Sequence, residues 1–241
     1  MDAEKNLGSQ QQHLLGIEYD LRISNLADFI CSKIDTSART LIDMGAGNGL
    51  FLKYFKKQGF HISGMELEHD QVKRMKKDPQ LANENIVQGD ILNSKGKESY
   101  DVVIASDVIE HIEDDQNAVI HLWSFVKKGG QMIITVPAHQ YLYGKRDVAW
   151  GHFRRYSKEL LTERVEKLGG TLEFIGYWNL IGYFVYYLYE KILRKQINEE
   201  MRYSRSLISR LVRALLDRIL KWEKSAGGVP IGLTLVAVVR K

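Results

Sequence analysis

The chain has 241 residues, 44% hydrophobic and 27% charged, with a formal net charge of +4 at pH 7. That length suits one large domain, or one domain with an insertion, and its core should bury roughly 70–75% of the unfolded surface without staples. A single cysteine, Cys31, excludes an internal disulfide and a cysteine-based zinc cluster. It falls among Leu26, Phe29, Ile30 and Ile34 and reads as buried filler, which suits a reducing, cytoplasmic setting. The polar N-terminus does not read as a signal peptide, and no apolar run approaches the ~20 residues of a membrane span. Between Lys191 and Lys224, ten Lys/Arg stand against Glu199, Glu200, Asp217 and Glu223, so the remainder of the chain is slightly acidic.

In chain order, a helix is expected near 24–34, then the apolar strand "TLIDMG" (40–45), a glycine-rich turn and a helix at 50–59. A strand at 61–66 precedes a polar helix at 68–77, and further strands follow at 84–91 and 100–106. A helix over 114–127 leads into a fifth strand, 129–138, and another helix spans 157–168. The segments 170–178 and 232–241 alternate like an antiparallel edge pair, with a mostly helical insertion between them. Strands alternating with helices predict an α/β fold. The expected sheet is seven-stranded and mostly parallel, with helices on both faces, an antiparallel last strand and a helical insertion before it. In such sheets ligands sit outside the carboxyl ends of the strands.

Asp43-Met-Gly45-Ala46-Gly47-Asn-Gly49 follows the first strand. Its G-x-G-x-G spacing differs from the dinucleotide fingerprint G-x-G-x-x-G. A carboxylate two residues before the first glycine is a poor neighbour for a pyrophosphate and suits a cationic ligand; a plain tight turn is the alternative. Glu66 ends the second strand, 17 residues beyond Gly49, where a carboxylate can accept both hydroxyls of a ribose. Asp90 ends the third strand beside the apolar Ile91, pairing an acceptor for an exocyclic amine with a wall for a purine. The fourth ends at Asp107-Val-Ile-Glu110-His111.

In "LIDMGAGNG", "GMELE", "QGDI" and "YDVVIASDVIEHI" the chain resembles the class I S-adenosylmethionine-dependent methyltransferases, over roughly 20–178 and 229–241. The resemblance implies a Rossmann-like fold and S-adenosylmethionine as cofactor. It places Asp43, Gly45, Ala46 and Gly47 at the methionine end, Glu66 on the ribose, Leu67 and Ile91 against the adenine, Asp90 at its amine and Asp107 beside the sulfonium. Lys128, in "KKGG", departs from the proline frequent in that family's surface turn.

Methyl transfer asks a protein mainly for alignment, worth up to roughly 7–11 kcal/mol of barrier. A hydroxyl acceptor also needs a base, for which histidine is suited near neutral pH. His111 and His152 are the candidates, and His139 reads as structural or substrate-binding. The chain lacks the Asn/Asp-Pro-Pro-aromatic motif of amino-methylating DNA enzymes and any cysteine in the fourth- or fifth-strand loops. No metal-ligand cluster stands out, so no metal is expected.

The segment "VPAHQYLYGKRDVAWGHFRRYSKELL" (136–161) resembles a methyltransferase subgroup with a VPA…D…GH-x-RRY pattern. Its members are often linked to surface-glycan or lipid-linked saccharide synthesis. By that resemblance Asp147, Gly151, His152, Arg154, Arg155 and Tyr156 form its core. Arg154, Arg155 and Tyr156 are expected at the substrate, because paired arginines suit a phosphate or carboxylate. The alternative is that each arginine bridges the segment to its own domain.

"YWNLIGYFVYYLYEKILRK" (177–195) joins clustered aromatics to a basic tail, a composition suited to a membrane interface. Farther on, Leu207, Leu211, Leu215 and Ile219 recur at helical spacing and read as core packing or a dimer partner. The chain therefore reads as one methyltransferase domain, 1–241, whose insertion at 179–228 is a lid, dimer or membrane-contact element. The expected location is cytoplasmic or peripheral at the membrane, with contact through 177–224. Its expected acceptor is small or carried on a glycan or lipid, methylated on oxygen. A phenol of the isoprenoid-quinone type and a non-catalytic cofactor-binding subunit are the rival readings. Nucleic acid is disfavoured, because aromatic platforms interleaved with Lys/Arg are missing.

Overall fold

The structure, a computed structural model, describes residues 21–193 and 207–241. Helix α1 (Leu21–Cys31) leads into β1 (Thr40–Met44), α2 (Leu50–Lys57), β2 (His61–Glu66), α3 (His69–Lys77), β3 (Asn85–Gln88) and β4 (Tyr100–Ser106). Helix α4 (Asp115–Trp123), β5 (Val126–Pro137), α5 (Lys145–Trp150), α6 (Lys158–Glu166) and β6 (Thr171–Trp178) follow. Helix α7 (Leu180–Tyr186) runs on as a π-helical stretch, Tyr187–Ile192; α8 (Leu207–Ser225) and β7 (Thr234–Arg240) close the chain.

The seven strands form one sheet in the order β3-β2-β1-β4-β5-β7-β6. β1 pairs in parallel with both β2 and β4, so the chain reverses its direction of travel across the sheet there. β7 is antiparallel to both β5 and β6. The alternation of side chains along each strand divides the core. Ile42, Met44, Val103 and Ala105 face one layer, whereas Leu41, Val102 and Ile104 face the other. Both layers are covered, which explains why the central strands read as unbroken apolar runs.

Several boundaries differ from expectation. β3 stops at Gln88, because Asp90 leaves the ladder to cap a 3-10 turn through Leu92 N–H, 2.9 Å from its Oδ1. β5 begins at Val126, three residues early, and absorbs Gly129 and Gly130 through a register shift against β4. Helix α4 ends at Trp123, short of 127. Helix α5 was not expected: its six residues, KRDVAW, are too short for a periodic signal.

The insertion is tied to the body at both ends. Glu223 of α8 is fully buried and accepts the N–H groups of Asn179 (2.7 Å) and Leu180 (3.0 Å) at the start of α7. Asn25 and Asp28 of α1 bond Asp217 and Lys224 of α8, each at 3.1 Å. The side of α8 that meets α1 is thus the one carrying Asp217, Leu220 and Lys224. Leu211 and Leu215 are 72% and 60% exposed, which corrects the core packing expected of that stripe. Residues 194–206 and the side chains of Leu207 and Arg210 lie outside the described residues. Cys31 is half-buried rather than enclosed.

Candidate active site

Four strand ends turn on a left-handed residue: Gly45 (φ 89°) after β1, Asp107 (53°) after β4, His139 (66°) after β5 and Asn179 (70°) after β6. Three of these are not glycine, and a strained backbone of this kind, costing about 1–3 kcal/mol each, concentrates where chains are forced around a site. At Gly45 a Cβ would stand 2.5 Å from Val108 Cγ2, so the turns after β1 and β4 interlock. At Gly47 (φ 52°) a Cβ would meet nothing within 4 Å, so its backbone is open to a ligand.

Two carboxylates lie against this turn. Glu66 accepts Gly47 N–H at 2.6 Å and Glu68 N–H at 2.9 Å, which holds it at the end of β2. Asp43 is 2% exposed, and burial, with the Glu66 charge second, pushes its carboxyl up to about 7. No counter-ion among the described residues offsets that. Leu67 is 60% exposed beside Glu66, and Ile91 is buried beside Asp90. Asp90 also accepts the Asn93 side-chain amide at 2.7 Å. Asp107, half-buried, pairs with Arg22 at 2.7 Å. The cofactor residues expected from the sequence thus line the carboxyl edge of β1 to β4.

Beyond β4, residues Ile109–His111 form a 3-10 turn, so His111 ends this turn rather than starting a helix. His111 is exposed, yet its ring rests edge-on against buried His152, centroids 4.6 Å apart. Burial, and then the neighbouring His152, lower the His111 pKa, so its imidazole is neutral at pH 7. His152 Nδ1 lies 2.9 Å from Asp147 Oδ1. The same carboxylate takes Arg155 Nε at 2.8 Å, Gly144 N–H at 3.0 Å and the Tyr186 hydroxyl at 3.3 Å. Glu110, adjacent to His111, is fully buried with neither carboxylate oxygen hydrogen-bonded.

The arginine pair is used differently from expectation. Arg155 is buried and committed to Asp147, with its guanidinium stacked 4.4 Å from the Tyr186 ring centre. Tyr156 is fully enclosed and donates to Asp115 at 2.8 Å. Arg154 binds Asp115 at 3.0 Å and the carbonyls of Ile112 and Glu113 at 3.0 and 2.7 Å. Arg154, Arg155 and Tyr156 thus follow the alternative reading, in which these side chains bolt the segment to its own domain through Asp115 and Asp147. His139 bonds the Gly232 carbonyl at 3.0 Å and stacks on Tyr177, centroids 4.9 Å apart, which favours its structural reading. Sequence reasoning gave no role to Glu110, Asp115 or Tyr186. Only Glu110 carried a signal, through its place in "DVIEHI".

The fold and this carboxyl-edge site together are those of a methyltransferase domain. A buried, counter-ion-free Asp43 suits a cationic amino-acid end, and Glu66 beside exposed Leu67 suits a nucleoside. The chain belongs to the methyltransferase domain family, whose model matches residues 18–179. Over 118 residues it is 30% identical to a ubiquinone biosynthesis O-methyltransferase of Rickettsia canadensis, covering 45% of this chain and 49% of that one. An uncharacterized methyltransferase of Alkaliphilus oremlandii is 30% identical over 108 residues, 44% of this chain and 49% of its own. The chain spans about half the length of these curated relatives. A SAM-dependent methyltransferase from Archaeoglobus fulgidus superposes with a TM-score of 0.60 at 18% identity, over 92% of this chain and 94% of that one. Phosphoethanolamine N-methyltransferase 2 of Haemonchus contortus, in complex with S-adenosylmethionine, superposes at 0.58 and 18% identity, over 90% and 52%. At these identities the likeness is one of fold.

Proposed function

We propose that the chain transfers a methyl group from S-adenosylmethionine to a hydroxyl oxygen of a small acceptor carried on a glycan or lipid. The observation that carries the cofactor half is Asp43, buried beside the glycine turn, where a cationic group would offset the burial that opposes its charge. The cofactor supplies an electrophilic methyl. Asp43 and the Gly45–Gly47 backbone hold its amino-acid end, Glu66 its ribose, Leu67 and Ile91 its adenine, with Asp90 at the amine. Asp107 lines the methyl side. The acceptor hydroxyl loses its proton at the His111–His152 pair, of which His111 is the solvent-facing member.

The rim supports a lipid-borne acceptor. Val148, Trp150 and Phe153 are 48–63% exposed beside the histidines, and Phe184, Leu188 and Ile192 are 44–59% exposed on the insertion. Tyr186 and Lys191 tie the insertion to the segment that carries His152, through Asp147 and the Tyr143 carbonyl. Among the described residues no helix is long and apolar enough to cross a membrane. A peripheral contact through 177–224 is the reading that fits, and a homodimer using exposed Leu211 and Leu215 is its competitor. The second acceptor reading, a quinone-like phenol, is favoured by the names of the curated relatives over the shared half of the chain.

Incubation with methyl-labelled S-adenosylmethionine and fractionated cell extract tests the proposal. Label entering lipid-linked saccharide or quinone fractions supports one acceptor class over the other; label in RNA or protein only would overturn both. Absence of saturable S-adenosylmethionine binding by calorimetry would remove the enzymatic reading altogether, and binding without any labelled product would leave a non-catalytic subunit.

A further inference from the structure

We propose that Glu110, His111 and His152 form a binding site for a divalent transition-metal ion. One ligand atom from each of the three lies within 4.8 Å of the other two. The sequence shows no metal-ligand spacing here, because His152 lies 41 positions beyond His111 and reaches it only through the fold. The proposal departs from the expectation of no metal.

Two independent features point to a cation. Glu110 is fully buried, both of its carboxylate oxygens lack a hydrogen-bond partner, and one of them belongs to the cluster. Buried polar groups are ordinarily paired, so an orphaned carboxylate asks for a ligand. The second feature is how His152 is held. Asp147 fixes Nδ1 of His152 from behind, which leaves Nε2 to face the cluster. The His111 ring rests edge-on against it, centroids 4.6 Å apart. Metal-ligating histidines are held as His152 is, by a carboxylate or carbonyl behind the other ring nitrogen.

Two histidines and one carboxylate with an open position is the donor set of catalytic zinc and of facial-triad metal sites. Exposed His111 provides the path for entry. Asp107, three residues before Glu110, is engaged with Arg22 and stands outside the set. Magnesium, which demands oxygen ligands, suits it less than zinc, cobalt or manganese.

The use of such an ion, though not its binding, rests on the methyl-transfer reading. An acceptor hydroxyl filling the open position would be acidified there, as metal-bound water is. Its proton passes to water, and the oxygen bonds to the methyl carbon as the carbon–sulfur bond breaks, leaving a neutral thioether. In that state the two histidines act as ligands and the ion replaces them as the acidifying group.

The test titrates the metal-stripped full chain with Zn²⁺ by calorimetry and with Co²⁺ by visible absorption, alongside S-adenosylmethionine binding. One saturable metal site per chain is expected. Glu110→Gln and His111→Ala should each weaken it at least 100-fold and alter the Co²⁺ ligand-field spectrum. Asp147→Asn, behind a ligand, should weaken it about 10–100-fold. His111→Ala changes an exposed side chain, so it keeps the test decisive if a buried variant unfolds. Absence of saturable Zn²⁺ and Co²⁺ binding, or binding indifferent to Glu110→Gln and His111→Ala, overturns the site. A chain that binds S-adenosylmethionine but no metal loses this proposal alone; one that binds metal but no S-adenosylmethionine keeps it and loses the methyltransferase reading.

Discussion

The rings of His111 and His152 meet edge to face at an interplanar angle of 83°. One ring belongs to the turn after β4, the other to the segment after β5, and their meeting converts two separate candidates into one site. If that site deprotonates the acceptor, His111→Ala lowers kcat by about 10²–10⁴. The affinity for S-adenosylmethionine stays unchanged, as checked by calorimetry. Methyl transfer at the wild-type rate in both His111→Ala and His152→Ala would remove the base assignment.

Asp43 couples cofactor affinity to pH. Its folded-state carboxyl titrates at about 7 and its unfolded-state carboxyl near 4, because burial and the Glu66 charge oppose ionisation. The folded chain therefore holds a proton that the unfolded chain has released, and the stability of the ligand-free protein falls as pH rises from about 4 to 7. Affinity for the cationic cofactor moves the opposite way and rises through pH 7. Asp43→Asn should flatten the stability profile in urea melts and weaken cofactor binding at least tenfold at pH 8. An unchanged pH profile in the variant would assign the titration elsewhere.

Arg155 is a brace, and its loss is a stability event. Arg155→Ala leaves Asp147 buried with one charge partner fewer, at a cost of about 3–5 kcal/mol for a broken buried pair. The denaturation midpoint should fall accordingly. A variant of wild-type stability with a raised acceptor KM would restore the expected substrate contact.

Gly45 is required by both conformation and space. Gly45→Ala must adopt a left-handed φ, costing about 1–2 kcal/mol, and also displace Val108. Both effects reach the cofactor turn, so thermal stability and S-adenosylmethionine affinity should fall together. Gly47→Ala pays the conformational cost without the clash and should lose less stability.

The exposed rim predicts binding to lipid. Phe184→Ser with Leu188→Ser removes two apolar side chains from the insertion, each worth about 1.5–3 kcal/mol when buried. Co-sedimentation with anionic vesicles should drop at least tenfold while cofactor affinity holds. If the wild-type chain ignores vesicles and sediments as a dimer that these changes leave intact, the membrane contact is wrong.

Much of this protein is local physics written along the chain. The alternation of Leu41, Ile42, Asp43 and Met44 needs only a pleated strand to send residues to opposite layers, and the glycines at 45 and 47 let the chain turn left-handed after it without a Cβ penalty. The mostly parallel sheet and the acidic residues at its strand ends follow from that pattern, and the cofactor class is implied by the family resemblance of the motifs there. What the tertiary structure decided is which polar groups find each other. Arg155 reads as an acceptor grip until Asp147 is seen buried behind it, and Leu211 reads as core until α8 turns Leu220 inward. Glu110, His111 and His152 become a cluster only when β4 and β5 lie side by side. A side chain's partner depends on distance and burial in three dimensions, and neither is encoded in the spacing of residues along one.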